Sequence, residues 1–246
     1  MTFSYFGGKE ALLDEYPRPL HDLIIEPFCG SARYSCRYGL SRNVWINDAK
    51  PQIWNIWRWI QSATMRDIDK LPSLTRPGES LADHKYLSHV ERDLLGYATG
   101  ANRASPSDKV TPWAAKKGGT AKLKQDLRRL CGRVSHWKIT CLDYTEIPNQ
   151  EACWFCDPPY EHHGKYYALN KIDFKRLGKW CLERAGQLIV CESSKAKWLP
   201  FVPLKKHIKR TNRKDNYTEA IYYRSGCKGN TFAANDSKVL SNMACR

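Results

Sequence analysis

Residues 151–160 read EACWFCDPPY, and an apolar run from Ala152 to Cys156 stops there in an acid, two prolines and an aromatic ring. The run suits a buried strand. Neither Pro158 nor Pro159 has an N–H to give to a sheet ladder, and each fixes its own φ, so the chain leaves the sheet rigidly. Asp157 is thereby held at the carboxyl end of a strand, where open α/β sheets bind ligands. Its carboxylate and the Pro158 carbonyl can accept hydrogen bonds from an exocyclic amino group while Tyr160 stacks on the ring that carries it. An ordinary Asp-Pro-Pro turn is the competing reading.

Upstream, Leu23-Ile24-Ile25-Glu26-Pro27-Phe28-Cys29-Gly30-Ser31 is a short apolar strand breaking into a glycine turn, with a helix expected through Leu40. Strand, glycine turn and helix is a nucleotide-binding arrangement, in which helix N-terminal amides face the ligand. There is no GxGxxG, so a dinucleotide is not indicated. Asn43–Asp48 supplies a second strand ending in an acid, placed to accept the ribose hydroxyls of an adenosine ligand. At the N-terminus, Tyr5-Phe6-Gly7-Gly8-Lys9 is a glycine turn with an aromatic on one side and a lysine on the other, and a helix is expected over Ala11–Tyr16. Residues 50–62 form an amphipathic helix whose tryptophans read as packing residues.

Downstream, strands are expected in Trp137–Tyr144 and Gln187–Ser193, and a helix in Phe174–Ala185. Lys205–Arg210 is expected to pair with Glu219–Arg224. Tyr166 and Tyr167 lie in a polar loop that could close over a base. After Ser225 the apolar pattern is lost, as in a tail.

The net charge of +15 is the footprint of a protein that meets polyanions, with nucleic acid the leading candidate. From about Ala63 to Ser135 the chain turns helix-prone, basic and loop-broken, with Arg103, Lys109, Lys116, Lys117 and Lys122 as candidate phosphate contacts. A solvated helical face is the alternative. Of ten cysteines, only Cys153 and Cys156 form a CxxC, with no second pair to complete four ligands, so no metal is expected. Buried thiols in a reducing cytoplasm fit better. No run approaches the ~20 apolar residues of a spanning helix, and no signal segment opens the sequence. No membrane association is expected, and a monomer is the expected state.

Taken in order, Tyr5–Lys9, Glu26–Ser31, Asn47-Asp48 and Asp157–Tyr160 resemble the Dam-type N6-adenine-specific DNA methyltransferases. The closer likeness is to the class whose recognition region lies between the cofactor-binding and catalytic motifs. The resemblance implies a Rossmann-like α/β sheet for S-adenosylmethionine-dependent methyl transfer, with a mainly helical inserted recognition domain. It divides the chain into a discontinuous catalytic domain (1–62 and 136–225), a DNA target-recognition insertion (63–135) and a C-terminal tail (226–246).

By the same resemblance, Tyr5, Lys9, Glu26, Phe28, Cys29, Gly30, Asp48, Asp143 and Asp157 belong to the S-adenosylmethionine site. Asp157, Pro158, Pro159 and Tyr160 are the catalytic set, acting on an adenine flipped from duplex DNA. A bacterial or phage-infected cytoplasm is implied. Where the family often carries a second glycine this chain has Ala32, for which a negative φ and a slightly different turn are expected. An N4-cytosine DNA methyltransferase, an RNA adenine methyltransferase and a catalytically dead DNA-binding module on the same scaffold are the alternatives.

Overall fold

In the computed structural model, residues 3, 5, 10–100, 105–161, 172–204 and 218–226 are described. Seven strands form one sheet: β1 (Leu23–Glu26), β2 (Asn43–Asn47), β3 (Lys138–Thr140), β4 (Ala152–Cys156), β5 (Gly186–Ser193), β6 (Val202–Pro203) and β7 (Glu219–Arg224). Their order across the sheet is β3-β2-β1-β4-β5-β7-β6. The first five are mutually parallel, while β7 runs antiparallel to both neighbours.

All five residues of β4 are buried, and their alternation explains why the sequence shows no polar face there. Cys153 and Phe155 enter one apolar cluster, together with Ile24, Val44, Ile46 and Ile189 from neighbouring strands. Ala152, Trp154 and Cys156 enter the other, with Ile25, Trp45, Leu188 and Val190. The period of two thus feeds two cores, one on each face.

Helices cover both faces. On the first face, α1 (Arg33–Tyr38) contributes Tyr34, and α2 (Pro51–Ser62) contributes Ile53, Ile56, Trp57 and Ile60. On the second, α7 (Phe174–Leu182) contributes Leu177, Trp180 and Cys181. The architecture is α/β and Rossmann-like, and two tryptophans of α2 are packing residues, Trp57 fully buried and Trp59 partly buried against the same cluster.

Between β2 and β3 the chain is helical: after α2 come α3 (Met65–Lys70), α4 (His89–Gly100), α5 (Pro112–Lys116) and α6 (Gly119–Leu130). Their buried residues, among them Ile68, Leu94, Leu95, Tyr97, Leu123 and Leu127, join the same cluster as Trp57 and Ile24. The inserted helices therefore share a core with the sheet and do not close a separate one.

Two expectations about helices are corrected. The segment expected as a helix over Ala11–Tyr16 is a 3-10 turn over Glu10–Glu15, and α1 ends at Tyr38, where Gly39 donates its N–H to the Ser35 carbonyl at 2.6 Å. The last strand, β7, pairs with β5 and with Val202–Pro203. The segment 205–210, expected as its partner, lies outside the described residues, as do Tyr166, Tyr167 and residues 227–246.

Finally, Ala32 has φ 43° and ψ 45°, the left-handed conformation, where a negative φ was expected. The reason is positional. Ala32 is the residue before α1, fully buried, with its N–H given to the Cys29 carbonyl at 2.6 Å. The tight turn and the burial together hold a conformation that costs an alanine roughly 1–2 kcal/mol.

Candidate active site

The strand order reverses direction at β1, whose neighbours are β2 on one side and β4 on the other. The crevice outside the carboxyl ends of β1 and β4 is the expected ligand position in such a sheet. It receives Glu26–Ser31 from β1 and Asp157–Tyr160 from β4, two segments far apart in sequence that Ile24–Cys153 and Ile25–Trp154 pairing brings together.

The turn after β1 is fixed on all sides. Cys29 donates its N–H to the Asn47 carbonyl at 2.8 Å. Gly30, at φ 47°, donates its N–H to Asp48 Oδ2 at 2.9 Å, and its carbonyl accepts from Trp57 Nε1 at 2.8 Å. A Cβ on Gly30 would stand 2.9 Å from Cδ1 of Tyr5, so the glycine is required both by its φ and by that ring.

Asp48 Oδ1 accepts from the Lys50 N–H at 3.0 Å. Burial raises its pKa, against the pull of these two N–H donors and the Lys50 charge. Lys50 Nζ in turn donates to the Tyr97 hydroxyl at 3.1 Å and stands about as far from the Tyr5 ring as from the Tyr97 ring. The α4 helix of the insertion is thus in direct contact with the β2 side of the site.

Asn47, next to Asp48, has a larger role than its place in the motif suggested. Its Nδ2 donates to the carbonyls of Pro27 and Leu142, both at 3.0 Å, and its Oδ1 accepts from the Leu142 N–H and the Thr140 hydroxyl. One buried amide therefore knits the loops after β1 and β3. Phe28 meets Tyr144 at 5.4 Å between ring centroids. Asp143 beside it is exposed, with Oδ1 capping the turn at Thr145.

Glu26 is 2% exposed, and Oε1 accepts the Ser35 N–H of α1 at 2.7 Å. Burial pushes its carboxyl up to about 8, with the charge of nearby Asp157 adding to the rise and bonds to Ser35 opposing it. Asp157 is half-buried, Pro158 buried, and Tyr160 7% exposed.

The Tyr160 hydroxyl donates to Glu219 Oε1, and the next N–H, that of Glu161, donates to Glu192 Oε2 at 2.9 Å. Glu192, fully buried, also accepts from the Ser193 N–H and from Trp198 Nε1. Two acids, one the penultimate residue of β5 and one opening β7, thus hold the segment that follows β4. Sequence reasoning passed over both, because their partners are remote in the chain.

Lys9 and Arg103 lie outside the described residues. The remaining proposed phosphate contacts divide into two kinds. Lys109, Lys116 and Lys117 are exposed, and Lys117 Nζ lies 5.6 Å from the ring centroid of the exposed Trp113. Lys122 instead bonds both oxygens of the buried Asp126, at 2.7 and 2.8 Å. That i, i+4 spacing was legible in the sequence.

The family model for D12 class N6 adenine-specific DNA methyltransferases matches residues 5–125. Over that span, just under half of the chain, the sequence is similar to that family, consistent with the Dam-type resemblance. The matched span holds Tyr5, Glu26–Ser31, Asp48 and nearly all of the inserted helices, and it ends ahead of β4. The family's reaction is S-adenosylmethionine-dependent methylation of adenine N6 in DNA, and the methyltransferase is accordingly an enzyme. No curated protein matches the chain.

Among the described residues of the methyltransferase, no helix is long and apolar enough to cross a membrane. Among the same residues, no group of three or more His, Cys, Asp or Glu side chains is arranged to hold a metal ion.

Proposed function

We propose that the crevice between β1 and β4 binds S-adenosylmethionine on its β1–β2 side and the target adenine at Asp157–Tyr160. The observation that carries this is the convergence of both motifs at the point where the strand order reverses. The residues present fit the cofactor. Gly30 leaves the space that a Cβ would fill against Tyr5, Asp48 offers a carboxylate for ribose hydroxyls, and the Phe28 and Tyr144 rings offer apolar faces. Asp143 is the candidate partner for the cofactor's adenine amino group. Glu26, Cys29 and Lys9 complete the proposed set.

The cofactor supplies an electrophilic methyl group on a sulfonium. The protein's task is to turn a poor nucleophile toward it, since the lone pair of an aromatic amino group is delocalised into the ring. Asp157 and the Pro158 carbonyl accept the two amino hydrogens, which favours a pyramidal nitrogen and aims its lone pair. Tyr160 stacks on the base. With the cofactor bound, the nitrogen would attack directly, with no covalent enzyme intermediate: the N–CH3 bond would form as the S–CH3 bond breaks, the sulfur would leave as a neutral thioether, and the surplus amino proton would pass through Asp157 to solvent. Orientation in a water-poor site would supply up to ~7–11 kcal/mol.

Because N6 is out of reach inside a duplex, the base is flipped at a cost of a few kcal/mol. Stacking and phosphate contacts from the insertion, taken as residues 63–135, offset that cost. The substrate in this reading is duplex DNA and the working form a cytoplasmic monomer.

The direct test incubates the protein with S-adenosylmethionine and unmethylated duplex DNA, then digests the product to nucleosides for mass spectrometry. N6-methyladenine is expected. N4-methylcytosine would keep the site and change the target base, while DNA binding with no methylated nucleoside would support a binding module.

For the DNA surface, the Lys116→Ala/Lys117→Ala double variant is expected to weaken binding uniformly across sequences. It should also lower the slope of log affinity against log salt by about 2, one ion per lost phosphate contact. Fluorescence anisotropy over a salt series reads this directly. An unchanged slope would remove both lysines from the interface.

A further inference from the structure

We propose that Glu219 is a positioning residue for methyl transfer: together with Tyr16 it holds the Tyr160 ring in place for the target base. The inference rests on the stacking role given to Tyr160 above.

Glu219 Oε1 accepts a hydrogen bond from the Tyr160 hydroxyl and another, at 3.1 Å, from the Tyr16 hydroxyl. The three side chains come from distant parts of the chain and are all buried, at 3%, 7% and 9% exposure for Tyr16, Tyr160 and Glu219. A carboxylate is removed from water only at considerable cost, and here two charge-assisted donors offset it. Burial first, and then nearby acidic groups that include Glu219 and Asp157, raise the pKa of both phenols, so they keep their protons and remain donors.

The position of Glu219 follows from topology. β7 is antiparallel to β5, so its first residue stands beside the last of β5: Glu219 pairs with Ser193. An antiparallel strand therefore begins at the sheet edge where the parallel strands end, and that edge carries Asp157. The Glu219 backbone is fixed as well, its carbonyl accepting the Leu204 N–H at 2.8 Å. Tyr16 is set by edge-on packing against Phe155 at 5.3 Å.

Tyr160 is consequently held at both ends of its ring axis, by the backbone after two prolines and by the hydroxyl. The axis cannot swing while the hydroxyl stays bonded. The hydroxyl restraint comes from Glu219, outside the Asp-Pro-Pro-Tyr motif.

The test compares Glu219→Ala, Glu219→Gln, Tyr160→Phe, Tyr160→Ala and the Tyr160→Phe/Glu219→Ala double variant. It measures single-turnover methylation of duplex DNA, affinity for S-adenosylmethionine, and fluorescence of 2-aminopurine at the target position. Glu219→Ala is expected to slow methylation on the order of 10- to 100-fold, the scale of a misplaced reacting group. Cofactor affinity should stay within about threefold of the parent, with altered 2-aminopurine fluorescence.

Tyr160→Phe should reproduce the loss and the double variant add little to it, because both remove one hydrogen bond. Glu219→Gln keeps an acceptor and should recover much of the rate. A merely structural Glu219 would give additive losses, with rate and cofactor affinity falling together, and would overturn the inference. Parent rates in Glu219→Gln and Tyr160→Phe, with a slow Tyr160→Ala, would also overturn it while leaving the stacking role intact. A parent rate in Tyr160→Ala would remove the stacking role itself.

Discussion

Asp157→Ala is expected to lower the single-turnover rate of methyl transfer by ~10³-fold or more, with DNA affinity changed by less than about threefold. The magnitude follows from what the carboxylate does. An acceptor aimed at developing positive charge in a site shielded from water is worth about as much as an oxyanion-hole donor, whose loss costs ~10²–10³. Asp157 adds orientation to that, since the same bond sets the direction of the nitrogen lone pair. DNA affinity should survive, because it rests on phosphate contacts made elsewhere. Gel-shift and quenched-flow measurements on one preparation separate the two. Equal loss of binding and rate would place Asp157 in the DNA interface and not in the chemistry.

The second large effect concerns stability and pH. Glu26 has its carboxyl raised from 4.5 to about 8, chiefly by burial. Below pH ~4.5 the group is protonated in both folded and unfolded chains and has no effect on the balance. As pH rises from there to about 8, the unfolded chain ionises while the folded chain keeps its proton, so stability falls. Above about 8 the loss is complete. At ~1.4 kcal/mol per unit, it reaches an upper limit of about 5 kcal/mol.

Glu26→Gln removes the titration and leaves an amide oxygen able to accept the Ser35 N–H. Urea unfolding from pH 5 to pH 9 should therefore show the variant close to the parent at the acid end and several kcal/mol more stable at the alkaline end. Parallel curves would mean that Glu26 does not carry the proton. If Glu26 faces the cofactor's ammonium group, saturating S-adenosylmethionine should shrink the difference, because an adjacent cation favours the carboxylate.

What the sequence disclosed, and what it withheld, divides along the range of the interactions involved. Asp157-Pro158-Pro159, Gly30 and Asp48 were legible because their constraints are local: a fixed φ, a positive φ, an acid at the end of an apolar run. The five-residue apolar run of β4 announced its burial by lacking any polar alternation.

Glu192 and Glu219 carried no such sign. Their donors, Glu161 N–H and the Tyr160 hydroxyl, are reached only across the sheet. Asn47 likewise declared a motif and hid its four hydrogen bonds. Ala32 misled for the opposite reason, since its residue type favours a negative φ and the tertiary turn overrode that preference. Lys122 counts by type as a phosphate contact although Asp126, four residues on, is in plain view.

The pairing of β1 with β4 also governs the order in which the molecule can be made. Ile24 leaves the ribosome long before its partner Cys153, with the whole helical insertion between them. At ~5–20 residues per second, the delay is on the order of ten seconds. During it β2 can dock on one edge of β1, while the other edge stays open in the nascent chain. Such long-range parallel pairing is intrinsically slow and leaves unpaired strand edges exposed to aggregation. Chaperone demand during synthesis should accordingly peak in the interval before β4 is translated, and end once that strand closes the sheet.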